Sequence, residues 1–170
     1  MKKILILVLI LLFLSLLART TSAAPTPAAN AIPMTFRIQG TLQSNETYVI
    51  NFPLRSVKGS GSGQATQLGA FTLQYDGQVN LLDLSAVSSV HFVAANGERL
   101  HAIATGQALE SGMLNVYNIF EIYKITGGTG SLTNASGTIT VQRVWDNTTG
   151  YTSGTFEGTI LIPSEQSFQK

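Results

Sequence analysis

The segment that decides the fold spans residues 125–139 and reads ITGGTGSLTNASGTI. Gly127, Gly128 and Gly130 allow backbone angles that other residues avoid, so the chain can bend sharply away from the strand that precedes them. Gly137 then lets the chain rejoin the sheet beside that same strand. The segment therefore predicts a crossover whose two flanking strands pair with each other.

Extended segments rich in Thr, Val, Ile, Phe and Tyr lie on both sides of the crossover. Fifteen of the sixteen glycines lie between Gly59 and Gly158, whereas no proline occurs between Pro53 and Pro163. Glycine at turns without proline in the strands is typical of a β-domain whose strands are paired on both edges. We expect an all-β sandwich or barrel of eight or nine strands, near residues 34–43, 46–52, 56–68, 70–80, 87–95, 98–108, 113–126, 136–146 and 151–162.

The crossover resembles the Gly-Gly-Thr-Gly…Ala-x-Gly segment of the allene oxide cyclase and dirigent barrel families, and of uncharacterised bacterial secreted proteins. Residues 63–69, 94–98 and 156–160 agree with the same set in the same order. The resemblance implies an antiparallel eight-stranded barrel, and because some relatives form trimers it also implies a homo-oligomer as one form. The cyclases act on a fatty-acid epoxide and dirigent proteins guide the coupling of phenol radicals. None of their polar cavity residues aligns with this chain, so the resemblance assigns no catalytic residue.

The first residues have the three parts of a secretory signal peptide. Lys2 and Lys3 precede an apolar run that is shorter than the roughly 20 residues needed to cross a bilayer, and a small-residue site follows. We therefore expect a secreted, extracytoplasmic protein with no stable membrane span after the signal peptide is removed. The expected organisation is a signal peptide at 1–24, a disordered lead-in at 25–33, a β-barrel domain at 34–162 and a polar tail at 163–170.

Loss of the signal peptide changes the charge of the chain. Three of the ten basic residues leave with it and all nine acidic residues stay, so seven basic and nine acidic residues remain. This slightly negative balance argues against nucleic acid as a partner, which requires a basic surface. The absence of cysteine excludes disulfides, thiol chemistry and thiolate zinc sites.

Motifs of nucleophilic catalysis and of phosphate binding are missing from the sequence. It contains neither Gly-x-Ser-x-Gly nor Ser-x-x-Lys, and the Gly-Ser run at 59–63 lacks the Gly-Lys-Ser/Thr ending of a phosphate loop. We interpret that run as a flexible strand edge or bulge.

The two histidines flank a turn whose length determines on which face of the sheet each of them lies. Asn96-Gly97 predicts a two-residue type I′ turn, which places Phe92 opposite His101 and puts His91 and His101 on opposite faces of the sheet. A one-residue bulge would instead make the histidines direct partners. We expect no metal site and no cofactor.

Alternation identifies a candidate site inside the domain. Tyr117, Glu121 and Tyr123 share one face of the strand before the crossover, and Arg143 and Trp145 share the matching face of the strand after it. If both faces point inward, the lumen holds a Glu121–Arg143 charge pair with aromatic walls, as in a pocket for a small apolar or amphipathic molecule. The pair is required there because an unpaired buried carboxylate is costly. The alternative places Glu121 on the outer face with Arg143 as its cross-strand neighbour.

Two functions of different classes remain open from the sequence. The first is a barrel that binds a small molecule in its lumen, with a cofactor-free cyclase- or isomerase-like activity as a variant. The second is a structural or protein-interaction module of the cell exterior whose barrel is packed solid, because side chains can fill a barrel of about eight strands.

Overall fold

The computed structural model describes residues 33–163, so the predicted signal peptide lies outside the described residues, as do the lead-in before Pro33 and the tail after Pro163. The described chain is an all-β domain with one short 3-10 helix, Gly130–Leu132. Its eight strands are β1 (Met34–Asn51), β2 (Leu54–Ala65), β3 (Gly69–Asn80), β4 (Ser85–Ala94), β5 (Arg99–Glu110), β6 (Val116–Gly128), β7 (Ser136–Asp146) and β8 (Tyr151–Ile162).

The strands form a closed antiparallel barrel in sequence order, which confirms the expected eight-stranded barrel. β1 pairs with β2 on one side and with β8 on the other, where Met34 lies opposite Ile162. The turns at 52–53, 81–84, 111–115 and 147–150 gather at one end of the barrel, which we call the open end. The crossover and the other two turns lie at the opposite end, which we call the crossover end. No helix within residues 33–163 is long and apolar enough to cross a membrane.

The prediction of separate strands at 34–43 and 46–52 is wrong. β1 is one strand of 18 residues that continues through Ser44 and Asn45. These two polar residues resemble a turn in the sequence, but Asn45 pairs with both Ser60 and Tyr151. The barrel therefore has eight strands and not nine.

The crossover has the backbone that its glycines predict. Gly127, Gly130 and Gly137 have φ angles of 148°, 61° and 132°, which side chains with a Cβ atom rarely adopt. Glu98 of the β4–β5 turn accepts a hydrogen bond from the backbone N–H of Ser131 at 2.6 Å and so holds the crossover against the neighbouring turn. β6 and β7 pair directly on either side of it, as expected.

The prediction of a flexible edge or bulge at 59–63 is also wrong. This run lies in the middle of β2, which pairs with β1 and β3 along its whole length. The serines point outward, and the glycines point inward where they make room for larger neighbours. A Cβ at Gly63, for example, would lie 2.4 Å from a ring carbon of Phe71.

Aromatic side chains fill the lumen on the crossover side. The rings of Phe71, Phe92 and Phe156 meet with centroid separations of 5.4–6.4 Å, in tilted and edge-to-face orientations that aromatic pairs favour. Leu68 and Leu132, from the turn after β2 and from the crossover, are buried against the same core. This half of the barrel is a packed core.

The predicted register of the β4–β5 hairpin is wrong by one residue. The Ala94 N–H donates to Glu98 O at 2.9 Å and the Gly97 N–H donates to Ala94 O at 2.9 Å, so the loop has three residues. Gly97 has a φ of 85°, as in the common three-residue hairpin that ends in a left-handed residue. The added residue places His91 directly opposite His101, on the outer face, which confirms the alternative that the two histidines are direct partners.

Candidate functional site

Three charged side chains meet inside the barrel below the open end. Arg143 of β7 donates from Nε and Nη2 to the two carboxylate oxygens of Glu121 on β6, at 2.9 and 3.1 Å. Its Nη1 donates to Glu46 of β1 at 2.5 Å. The side chains of Arg143, Glu46 and Glu121 are only 9%, 4% and 5% exposed. One guanidinium therefore holds two buried carboxylates, one of them in the bidentate geometry that is strongest for arginine.

Two tyrosine hydroxyls extend this network. Tyr75 of β3 donates to Glu46 at 2.8 Å, and its oxygen lies 2.9 Å from the hydroxyl of Ser44. Tyr123 of β6 donates to Glu121 at 3.2 Å. The guanidinium of Arg143 also lies over the ring of Tyr75, 5.4 Å from its centroid. We refer to Glu46, Tyr75, Glu121, Tyr123 and Arg143 as the lumen cluster.

Burial and charge shift the pKa values of the cluster in defined directions. Burial raises the pKa of the Tyr75 hydroxyl above its usual range, and the carboxylate of Glu46 raises it further. Burial and then Glu121 do the same to the pKa of Tyr123. Burial alone would lower the pKa of Arg143, but Glu121 and Glu46 hold it above its ordinary value. The arginine is thus charged and both tyrosines are neutral hydrogen-bond donors.

These shifts predict that the barrel loses stability in alkali. Above pH 10, the ordinary tyrosine pKa, the unfolded chain releases protons that folded Tyr75 and Tyr123 retain, so the free energy of unfolding falls as the pH rises. Absorbance of the tyrosinate anion should show that two of the five tyrosines titrate only when the barrel unfolds. The double variant Tyr75→Phe/Tyr123→Phe should remove this late phase, whereas Tyr151→Phe on the outer face should retain it. Titration of Tyr75 and Tyr123 in the folded barrel near the ordinary tyrosine pKa would contradict the prediction.

Glycines on adjacent strands make room for the cluster. Gly106 lies opposite Glu121, and a Cβ there would be 2.5 Å from the Glu121 Cγ. Gly154 lies opposite Arg143, and a Cβ there would be 2.6 Å from the Arg143 Cβ. The large polar side chains fit into the lumen because their neighbours have none, which is one use of glycine inside a strand.

Aromatic side chains surround a second arginine nearer the open end. The Arg55 guanidinium lies 4.6 Å from the Trp145 ring centroid and 5.1 Å from that of Tyr48, within the range of cation–π attraction. The ring of Tyr117 also packs against Trp145, with the two ring centroids 5.6 Å apart. Among the described residues, Arg55 Nε and Trp145 Nε1 are two of the three buried side-chain atoms without a hydrogen-bond partner. Buried polar atoms without a hydrogen-bond partner are rare in folded proteins.

A small pocket lies between Arg55 and the lumen cluster. Its volume is about 40 Å³, and Glu46, Tyr75, Glu121 and Arg143 line its polar side. Its apolar lining consists mainly of Val57, Val79, Leu84, Ala86, Val87, Ala108 and Ile119. The volume holds about one water molecule and is well below the roughly 300 Å³ of a typical ligand pocket.

Larger depressions on the outer surface do not enclose a site. Two of them, of about 740 and 880 Å³, lie on the outer faces of strands around β1. Their walls consist largely of exposed polar side chains such as Thr41, Gln64 and Thr155. Both depressions are open to solvent. The candidate functional site is therefore the lumen cluster, whose charged side chains are buried.

No protein-family model and no curated protein matches the chain. The solved structure of a pterocarpan synthase dirigent protein matches it with a TM-score of 0.55 and 13% sequence identity, over 86% of this chain and 100% of that one. This chain has a dirigent-like barrel fold. At 13% identity the likeness concerns the fold alone, so the site of this dirigent-like barrel is argued from its own residues.

The dirigent-like barrel places the five predicted site residues in two groups. Glu121, Tyr123 and Arg143 point inward and bond to one another in the lumen cluster. Tyr117 and Trp145 belong to the aromatic group nearer the open end. The alternative of an outward Glu121 is wrong, because the odd-numbered residues from Ile119 to Ile125 are buried.

Sequence reasoning missed three residues of the dirigent-like barrel site. Glu46, Tyr75 and Arg55 come from β1, β3 and β2, which are distant in sequence from the crossover. For Glu46 a signal existed, since it continues the inward series that starts at Ile38 and includes Leu42 and Ser44. The division of β1 into two strands hid that series.

Proposed function

We propose that this protein is an exported small-molecule-binding barrel whose site is the pocket between Arg55 and the lumen cluster. The observation that carries the proposal is the buried Glu46–Arg143–Glu121 group beside a pocket. Well-packed apolar side chains often replace a buried ion group at no loss of stability, so a barrel with only a structural role has no need of this one. Buried charged groups that face a pocket are a common mark of a functional site.

The lining defines the class of ligand. Carboxylate oxygens of Glu46 and Glu121 accept hydrogen bonds, so they suit a ligand hydroxyl. Val57, Val79 and Ile119 suit an aromatic or other apolar body. Trp145 is not part of this lining, but its ring contacts Arg55, which is, and its Nε1 is a hydrogen-bond donor without a partner. We therefore propose an amphipathic ligand that carries a hydroxyl group at one end.

Arg55 must move before such a ligand fits, because the present pocket holds about 40 Å³. Its guanidinium is held by two aromatic faces, and its Nε makes no hydrogen bond. Cation–π contacts of this kind are worth about 0.5–2 kcal/mol. Only a modest interaction energy therefore opposes displacement of the Arg55 side chain. Arg55 acts as a plug, because it occupies the space that the ligand needs and can move out of it.

Removal of the plug should strengthen binding of an aromatic alcohol. With 2-naphthol as the probe, we expect Arg55→Ala to lower the dissociation constant at least threefold, because the ligand no longer displaces a bound guanidinium. Isothermal titration calorimetry measures the affinity. The indole N–H signal of Trp145, the one tryptophan of the chain, should shift on binding and so reports the location.

Arg37→Ala is the matched control, since Arg37 lies on the outer face with its side chain 76% exposed; it should leave the affinity unchanged. If 2-naphthol binds neither the unmodified protein nor Arg55→Ala, the pocket proposal is wrong.

A second candidate, a protein-interaction module, is favoured by one observation. The outer faces of β5, β6 and β7 expose large apolar side chains, namely Ile103, Leu109, Phe120, Ile122 and Val144. Exposed apolar patches of this kind often mark association sites. This candidate becomes the preferred one if the barrel does not bind the probe.

A further inference from the structure

The two histidines of the chain form an isolated pair on the outer face of β4 and β5. The Nδ1 atoms of His91 and His101 are 2.7 Å apart, and their ring centroids are 4.9 Å apart at an interplanar angle of 76°. The pair lies outside the lumen, on the face opposite Phe92 and Ala102, which point inward.

The hairpin register explains why the imidazoles are so close. Ala94 and Glu98 form a hydrogen-bonded pair, and such pairs alternate with non-hydrogen-bonded ones along an antiparallel ladder. His91 and His101 lie three pairs further on and therefore form a non-hydrogen-bonded pair. Side chains approach most closely in pairs of that type.

We propose that His91 and His101 form a two-histidine site for a divalent transition-metal ion, with Cu²⁺ bound most tightly. Imidazole nitrogens are good ligands for Cu²⁺ and Zn²⁺, and Cu²⁺ is the tightest-bound of the first-row divalent ions at such a site. Two neutral imidazoles with both protons on Nε2 direct their Nδ1 lone pairs into the same space. A cation between them removes the repulsion of these lone pairs.

The surroundings of His101 favour the neutral imidazole that a metal ligand requires. Burial lowers the pKa of His101, and the neighbouring His91 and Arg99 lower it further. The ring is therefore neutral near pH 7 and keeps a free lone pair, which a metal ligand requires.

The neighbouring strands leave room for further ligands. On β3, Gln74 lies opposite His91 and offers an amide oxygen on the same face. On β6, Gly127 lies opposite His101, and no atom is within 4 Å of where its Cβ would be. Arg99 is the charged group that precedes His101 on the same face. Water can thus complete the coordination of the metal.

The site would have two protein nitrogens as its main ligands. Among residues 33–163 there is no group of three or more His, Cys, Asp or Glu side chains that could hold an ion. A site of this kind binds the metal reversibly and leaves coordination positions exposed. It is therefore distinct from a closed structural metal site, which has a full set of protein ligands.

Cu²⁺ titration of the protein, purified from its own host without an affinity tag, tests the proposal. We expect one ion per chain at pH 7.5 (about one unit above the ordinary histidine pKa), and an electron paramagnetic resonance spectrum with coupling to two imidazole nitrogens. These nitrogens can come only from His91 and His101, because the chain has two histidines. His91→Gln and His101→Gln should each weaken binding at least tenfold, and acidification to about pH 5 should release the ion.

Arg99→Gln provides the matched control. It removes a neighbouring positive charge without removing a ligand, so the affinity should stay the same or increase. Circular dichroism should show that all three variants keep the barrel. Equal Cu²⁺ affinity in the protein and in both histidine variants, or a spectrum without imidazole nitrogens, would overturn the site and leave the pair as a hydrogen bond alone.

Discussion

Replacement of Arg143 with methionine is expected to destabilise the barrel by about 3–5 kcal/mol. The change leaves Glu46 and Glu121 buried in the lumen without the guanidinium that now contacts both. The loss in free energy of unfolding comes from two uncompensated buried charges, and it exceeds the net contribution of the lost hydrogen bonds. Urea unfolding should show a lower midpoint with an unchanged slope, since the surface exposed on unfolding stays the same.

Arg37→Met supplies the comparison for this prediction. Arg37 forms an ion pair with Glu157 on the outer face, where their side chains are 76% and 67% exposed. Exposed pairs contribute about 0–1 kcal/mol, so the midpoint should change little. Similar urea midpoints for the two variants would mean that Arg143 does not stabilise the buried carboxylates of Glu46 and Glu121.

A triple variant separates stability from function. Glu46→Leu/Glu121→Leu/Arg143→Met removes all three charges together, and such replacements are often neutral or stabilising. We expect this barrel to recover part of the stability lost in Arg143→Met, since the buried Tyr123 hydroxyl loses its acceptor Glu121, and to bind 2-naphthol at least tenfold more weakly. Binding equal to that of the unmodified protein would show that the lumen cluster does not recognise the ligand.

Gly59→Val is expected to destabilise the barrel by about 3 kcal/mol, the upper part of the usual range for an overfilled core. A Cβ at Gly59 would lie 2.0 Å from Cζ of Tyr75 and 2.3 Å from its hydroxyl oxygen. The ring cannot yield without loss of its 2.8 Å hydrogen bond to Glu46. Urea unfolding measures the cost, and tyrosinate absorbance should show whether Tyr75 becomes titratable in the folded state.

Ser60→Val tests the same substitution on the outer face of the same strand. Ser60 is exposed, and valine favours strands, so we expect a change within about 0.5 kcal/mol. If both valine variants have the same stability, the inward glycine is not needed for close packing of Tyr75.

The part of the site on β6 and β7 could be predicted from the sequence because it depends on local periodicity. Side chains alternate between faces with period two, so Glu121, Tyr123 and Arg143 share a face once both strands are recognised. The crossover glycines supply the pairing of the two strands. Neither step requires knowledge of the rest of the barrel.

The contribution of β1, β2 and β3 could not be predicted in the same way. Glu46 reaches Arg143 across β8, so the contact exists only because β1 pairs with β8 and closes the barrel. Closure and its stagger depend on all eight strands together. The prediction that His91 and His101 lie on opposite faces is wrong for a local reason. Asn96-Gly97 fits loops of two or three residues, and one added residue in the loop shifts the strand register by one, which changes which residues of the two strands share a face.

Closure through the first and last strands has a consequence for the folding rate. Arg37 and Glu157 are 120 residues apart in sequence yet form an ion pair across the β1–β8 seam. The other seven pairings join consecutive strands, so β1–β8 is the slow step, because the entropy of a long loop is lost before the contacts that compensate for it form. Until β8 docks, the edge of β1 has unpaired backbone groups that can pair with another chain. The partly assembled sheet is therefore the species most prone to aggregate, and rapid arrival of the last strand protects it.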